Sequence, residues 1–315
     1  MSRFVEEIRH EVAKWVVGQQ RVVDALLIAL ATEGHLLLES VPGLAKTTAV
    51  KAFAAALGFD FKRVQFTPDL LPSDILGVQV YDRRTNEFHI KKGPIFTNIL
   101  LADEINRAPS KVQSALLEAM AERQVTIAEE SFEMARPFLV LATQNPIEQE
   151  GVYALPEAQL DRFMMKIKVD YPTPQEELEI MRRAAIGGFE EVKQVATAEG
   201  WAAAKKELAA VHIDLEVQEY IVRLIDATRH PARYKLDAVV RWLEFGASPR
   251  ATIDLLKASR AEAWLRGRDF VTPVDVAAVL PHILRHRLIL SYEAMSDGVD
   301  ADQVISALLQ GVRLP

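Results

Sequence analysis

The segment HLLLESVPGLAKTT at residues 35–48 constrains this chain more than any other. A short apolar run is cut by a Pro-Gly turn, and TTAVKAFAAALG follows with the spacing of a helix that closes at Gly58. Strand, tight loop and helix in that order make a cradle for anions, because backbone N–H groups and the positive end of the helix converge on one point. Lys46 is then placed to reach the β- and γ-phosphates of a nucleotide as a point charge, and the Thr47 hydroxyl to ligate Mg²⁺. Ser40, Val41, Pro42, Gly43, Leu44, Ala45 and Thr48 complete the expected loop. The match to the usual phosphate-loop pattern is incomplete, since Ser40 and Ala45 stand at its two outer glycine positions and Gly43 is the glycine inside the loop. Ala45 then requires a helical backbone, where a small side chain leaves the phosphates room. The competing reading is an ordinary strand-to-helix turn with an incidental lysine.

NILLADEINRAP tips that balance. Four apolar residues, 99–102, run into Asp103 and Glu104. Alone, such a pair is a solvated strand end; beside a phosphate loop, Asp103 is expected to hold Mg²⁺ through its water shell and Glu104 to orient and deprotonate an attacking water. A third run, FLVLAT at 138–143, ends in Gln144-Asn145-Pro146. Asn145 is thereby offered beside Glu104 for a hydrogen bond to that water or to the γ-phosphate, although an Asn before Pro on its own reads as a turn.

Continuous apolar strands with polar carboxyl ends belong to a parallel sheet buried on both faces. The expected fold class is α/β, a three-layer P-loop core. Residues 4–33 precede it as two helices broken at Val17-Gly18, and two β-hairpins, at 77–93 and 124–138, interrupt it. After YPTPQEE at 171–177 nearly everything scans as helix, so the expected domains are an α/β nucleotide-binding core at 1–172 and an all-α lid at 173–315. Two domains also suit 315 residues.

Composition narrows the function. A net charge of −7 provides no field to attract phosphate backbones or anionic membranes, which argues against nucleic acid as a partner. There is no cysteine, so disulfides and thiolate metal sites are excluded. No apolar run reaches the roughly 18 residues of a membrane span, and the N-terminal segment mixes charge and apolar residues unlike a signal peptide, so no membrane insertion and a cytoplasmic location are expected. The histidines form no H-E-x-x-H motif, and His282 and His286, at i,i+4, are flanked by Arg285 and Arg287, which disfavours zinc. Trp201, Trp242 and Trp264 fall in helical patterns and read as lid core.

Across nearly its whole length the chain resembles the MoxR family of AAA+ ATPases, through VVGQQRVVDALLIAL, LLLESVPGLAKTT, VQFTPDLLPSDILG, GPIFTNILLADEINRAPSKVQSALLEAMAERQVTI, VLATQNPIEQEGVYALPEAQLDRFMMK and GASPRA. The resemblance implies an AAA+ core followed by a helical lid, with ATP and Mg²⁺ bound. It gives the Walker A role to Lys46 and Thr47, Walker B to Asp103 and Glu104, and sensor 1 to Asn145. Arg162, in LPEAQLDRF, becomes the arginine finger and Arg250, in GASPRA, sensor 2, acting on its own subunit's nucleotide or a neighbour's. Val17 and Gly18 resemble the segment that reads adenine through main-chain groups. Ser40 departs from the glycine more usual in the family. Plainer readings are a salt bridge from Arg162 to Asp161 or Glu157, helix-start decoration for Arg250 and core packing for Val17. The resemblance further implies self-association into a ring, with a hexamer expected, a protein client, and a partner bearing a von Willebrand factor A domain. Alternatives are a magnesium-chelatase-like motor subunit, a nucleic-acid translocase disfavoured by the charge, and a non-hydrolysing nucleotide-gated scaffold.

Overall fold

A computed structural model describes residues 3–41, 44, 46–146, 151–185 and 190–315; Pro42, Gly43 and Ala45 of the expected loop lie outside them. Packing divides the chain into an α/β unit, residues 6–162 and 167–197, and a helical unit built from Ala198–Pro315 with Phe163–Lys166 and the first described residues.

Two helices open the chain, α1 (Arg3–Ala13) and α2 (Gln20–Thr32). α2 buries residues 25–30 without interruption, as a helix covered on most sides must. β1 (Leu36–Glu39) leads to α3 (Lys46–Leu57), whose alanines at 49, 52, 54 and 56 are all buried. Gly58, at φ 69°, supplies the left-handed residue that ends α3.

Next come β2 (Phe61–Gln65), the short α4 (Pro72–Leu76), β3 (Gly77–Asp82), β4 (Glu87–Lys92) and β5 (Ile99–Asp103). A single 3₁₀ turn at Ile105–Arg107 precedes α5 (Ser110–Glu122), β6 (Gln124–Ile127), β7 (Glu130–Glu133) and β8 (Leu139–Gln144). Then follow α6 (Glu157–Leu160), β9 (Met165–Lys168), whose first two residues group with the helical unit, and α7 (Pro174–Ala185).

Five strands form one sheet in the order β2-β5-β8-β1-β9. β1, β5 and β8, which sequence marks by apolar runs, occupy its middle and pair in parallel. β2 pairs in parallel with β5 from the sheet's edge. Its FKRVQ sequence has no apolar run to betray it, because an edge strand covered on fewer sides tolerates charge. The register sets Gln65 opposite Asp103, Ala102 opposite Ala142 and Glu39 opposite Gln144, so the strands' carboxyl ends finish level with one another. A site at those ends follows from topology alone.

Both expected hairpins are present, β3 with β4 and β6 with β7. The Lys92 ammonium sits 4.8 Å from the Phe96 ring and 4.5 Å from the Phe132 ring, joining the base of the first hairpin to the second. Val78, Val80, Tyr81 and Phe88 on the first hairpin are exposed.

α7 and the chain up to Thr197 pack with the α/β unit, beyond the division drawn at 172/173. Arg183 Nη1 donates to the Ala13 carbonyl at 2.7 Å, the Lys193 N–H to Glu11 Oε2 at 2.8 Å, and the Val195 and Ala196 N–H groups to the Ala56 carbonyl. Pro172 and Pro174 punctuate the chain without ending its packing.

The helical unit contains α8 (Ala198–Ala210), α9 (Leu215–Arg229), α10 (Asp237–Trp242), α11 (Pro249–Leu265), α12 (Pro273–Leu284), α13 (Tyr292–Ser296) and α14 (Ala301–Gly311). Two short strands, β10 (Leu243–Phe245) and β11 (Ile289–Leu290), pair antiparallel where sequence reads only helix. Tyr220, Leu255, Val276, Leu280 and Ile283 lie in its core. Trp264 is buried there too, its indole N–H donating to Glu207 Oε2 at 3.1 Å. His286 is buried with Nε2 2.9 Å from the Phe163 carbonyl oxygen, and His282 Nδ1 meets Arg285 Nη1 at 2.9 Å. Among the described residues no cluster of three or more His, Asp or Glu is arranged to hold a metal ion, and no helix is long and apolar enough to cross a membrane.

Candidate functional site

β1 and β5 deliver the two halves of the site. Lys46 and Thr47 begin α3, so their side chains leave the helix's first turn, where free N–H groups and the positive dipole end point outward. Leu44 before them is buried. Burial pushes the Lys46 ammonium below its ordinary pKa, and the charges of Asp103 and Glu104 partly offset this. The three groups therefore share one electrostatic neighbourhood.

Around the carboxylates a hydrogen-bond network sets positions. Thr143 on β8 is fully buried, and its hydroxyl donates to Asp103 Oδ1 at 2.6 Å while accepting the Glu104 N–H at 2.8 Å. Asp103 Oδ2 receives both Nη2 (2.6 Å) and Nε (3.1 Å) of Arg63. Glu104 Oε2 receives Gln65 Nε2 at 2.7 Å and lies 3.0 Å from Arg107 Nε. Arg63 and Gln65 are two apart on β2 and so project on one side of that strand.

Glu104 itself adopts φ 57°, ψ 51°, left-handed geometry that a residue with a β-carbon visits rarely. The Thr143 bond to its N–H and the Arg107 N–H bond to its carbonyl at 2.9 Å hold it there. Such strain turns the carboxylate off the strand direction, as functional positions often require. Beneath it, buried Gln113 donates from Nε2 to the carbonyls of Ile105 (3.2 Å), Ala108 (3.1 Å) and Tyr153 (3.0 Å), bracing the turn.

Asn145 is buried just past β8, one residue beyond the last β8 position. Ser40 is buried as well; its N–H donates to the Gln144 carbonyl (3.2 Å) and its hydroxyl to the Val41 carbonyl (3.1 Å), so the side chain absent from a glycine is spent on backbone. Val41, Thr47 and Thr48 are partly exposed. Gly18, at φ 78°, abuts Glu176, whose carboxyl would lie 2.3 Å from a β-carbon at that position; Val17 beside it is half-buried.

Not every expected residue joins this group. Arg162 Nη1 donates to the Leu117 carbonyl at 2.6 Å, within the same unit. Arg250 occupies the exposed first turn of α11, after Ser248 and Pro249, and belongs to the helical unit. Thr143, Arg63, Gln65 and Arg107 escape a motif reading. The trace they leave is faint: a hydroxyl inside an apolar strand, and polar residues two apart ahead of Phe66-Thr67-Pro68.

The residues present suit a magnesium–nucleotide pair: an ammonium at a helix start, a neighbouring hydroxyl, and two carboxylates presented at the carboxyl end of β5. Residues 35–165 match the model of the ATPase family associated with various cellular activities (AAA), and residues 238–308 that of the AAA lid domain. The chain is 49% identical to Chaperone MoxR1 of Mycobacterium tuberculosis over 99% of its own length and 82% of the relative's. It is 44% identical to YeaC of Bacillus subtilis, over 95% of this chain and 91% of that one. A magnesium-chelatase subunit, ChlI of Nicotiana tabacum, is 31% identical over 60% of the chain and 42% of the relative. A crystal structure of a proposed ATPase from Cytophaga hutchinsonii superimposes with a TM-score of 0.94 at 47% identity, covering 100% of this chain and 96% of that one. An α/β core carrying these side chains, a helical lid, and relatives matched nearly end to end place the chain in the MoxR family of AAA+ ATPases.

Proposed function

We propose that this chain hydrolyses ATP at the ends of β1, β5 and β8 and uses the energy to remodel or mature a protein client, working as a ring of subunits, six being the expected number. The observation that carries the reading is the shared neighbourhood of Lys46, Asp103 and Glu104, with Thr143 bonded to both acidic residues. Lys46 holds the β- and γ-phosphates, while Thr47 and Asp103 hold Mg²⁺, which supplies charge neutralisation for the phosphates. Glu104 orients a water and takes its proton; Asn145, next along from β8, fixes that water or the γ-phosphate. Ser40, Val41, Leu44 and Thr48 line the phosphates, and Val17 with Gly18 contacts the base; Pro42, Gly43 and Ala45, the other loop residues expected there, lie outside the described residues. Arg162 must leave the Leu117 carbonyl to serve a neighbouring subunit's γ-phosphate, and Arg250 takes the sensor 2 role, toward its own subunit's nucleotide or a neighbour's.

A chaperone-like role is supported by the name of the Mycobacterium tuberculosis relative. The exposed apolar hairpin β3–β4 is a fitting contact for a client, and a von Willebrand factor A domain protein is the proposed partner.

The test is ATPase activity per subunit as a function of protein concentration, for wild type and for Glu104→Gln and Arg162→Ala alone and mixed. Activity should rise with concentration, each variant should lose about 10³-fold, and mixing should restore part, because a mixed interface can pair an intact Glu104 with an intact Arg162. Concentration-independent activity with no recovery on mixing would refute the shared site; tight ATP binding without hydrolysis would support a nucleotide-gated scaffold instead.

A further inference from the structure

Asp103 is expected to attract a divalent cation, yet this chain already supplies a cation to it. Arg63 Nη2 and Nε both donate to Oδ2, at 2.6 and 3.1 Å, which uses the two lone pairs of that oxygen. The other oxygen, Oδ1, accepts the Thr143 hydroxyl at 2.6 Å. The Asp103 side chain is only 13% exposed whereas that of Arg63 is 48% exposed, so of the two the arginine is free to move. A place to move to is provided: Arg63 Nη2 also donates to Gln65 Oε1 at 3.1 Å, a partner on its own strand that can retain the guanidinium once the carboxylate is surrendered.

We propose that Arg63 competes with Mg²⁺ for Asp103, so that the metal fills the site only as the guanidinium withdraws from Oδ2. This rests on the reading of Asp103 as a Mg²⁺-holding residue. A hydrated divalent ion approaching Oδ2 needs a lone pair that Arg63 fills, and meets the repulsion of a positive charge within a few ångströms. The ion pair is partly solvated, which sets the size of the competition. Pairs of that kind oppose a rival by roughly two- to fivefold in binding constant. Arg63 thus acts as a positioning residue with a threshold effect: it holds Asp103 in place and raises the Mg²⁺ concentration at which the site fills.

The experiment titrates MgCl₂ against the full-length chain at fixed AMP-PNP, with calorimetric or fluorescence detection of nucleotide binding, for wild type, Arg63→Gln and Arg63→Lys. Binding of AMP-PNP in EDTA provides the metal-free baseline, and circular dichroism confirms that each variant folds. Measured against each variant's own EDTA baseline, Arg63→Gln should lower the half-saturating Mg²⁺ by about two- to fivefold, and Arg63→Lys, which keeps charge but not the paired N–H geometry, should fall between. An unchanged or raised Mg²⁺ requirement in Arg63→Gln would overturn the competition and leave Arg63 as a brace for Asp103. Absence of AMP-PNP binding to the wild type at every Mg²⁺ concentration would instead overturn the nucleotide reading on which the inference depends.

Discussion

At the scale of single residues, Thr143 has the greatest leverage for its size. One buried hydroxyl connects β8 to both members of the acidic pair, donating to the Asp103 carboxylate and accepting from the Glu104 backbone. Thr143→Val keeps shape and removes the hydroxyl, stranding the Glu104 N–H. We expect it to cost about 1–3 kcal/mol of stability in urea denaturation and to lower kcat about tenfold, the equivalent of one lost hydrogen bond. Thr143→Ser should recover most of the activity, and full activity in the valine variant would show that the hydroxyl is dispensable. The sequence announces Lys46, Thr47, Asp103 and Glu104 because motif chemistry depends on fixed spacing along the chain. It cannot announce Thr143 or Gln65 in the same way, since their meaning comes from the sheet register that sets Gln65 opposite Asp103 and Thr143 one position past Ala142.

At the scale of elements, legibility follows burial. β1, β5 and β8 are apolar because helices cover both faces, and the α3 boundary is marked by Gly58. β2 is illegible for the opposite reason, being an edge strand of mixed character, and so are β10 and β11, too short to show a period. The joint between the first two helices offers a test at this scale. Gly18 is left-handed and faces the Glu176 carboxyl, which also caps its own helix by accepting the Thr173 N–H at 2.7 Å. Gly18→Ala imposes both backbone strain and a clash, for an expected loss of about 1–2 kcal/mol in thermal unfolding. Adding Glu176→Ala should return part of that loss, a coupling measurable as a double-mutant cycle; strict additivity would mean the two do not touch.

For the molecule as a whole, buried histidines make folding stability depend on pH. His35 opens β1's segment, its Nδ1 accepting the Val140 N–H at 3.0 Å and its Nε2 3.3 Å from the Met120 carbonyl, so sheet and α5 meet on a neutral ring. Burial lowers its pKa from the ordinary 6.5 to about 4. The unfolded chain therefore takes up a proton below pH 6.5 that the folded chain refuses until about pH 4. Stability from this group is complete above pH 6.5, declines as pH falls between those values, and levels off at a total loss of about 3 kcal/mol. His286, also held well below its usual range by burial and then by Arg287, steepens the same decline. Urea midpoints measured from pH 7 to 4.5 should fall accordingly, with a shallower slope in His35→Asn; an identical slope in that variant would remove His35 from the explanation.

The edge position of β2 has one more consequence. A strand at the end of a sheet exposes unpaired backbone groups that can recruit a strand from another molecule, and exposed charge is what usually discourages this. Lys62 and Arg63 are the exposed charges on β2. The side chain that engages Asp103 is therefore also one of the two charges that guard this edge, so Arg63→Gln is expected to bear on solubility as well as on the Asp103 contact, which light scattering of the variant checks.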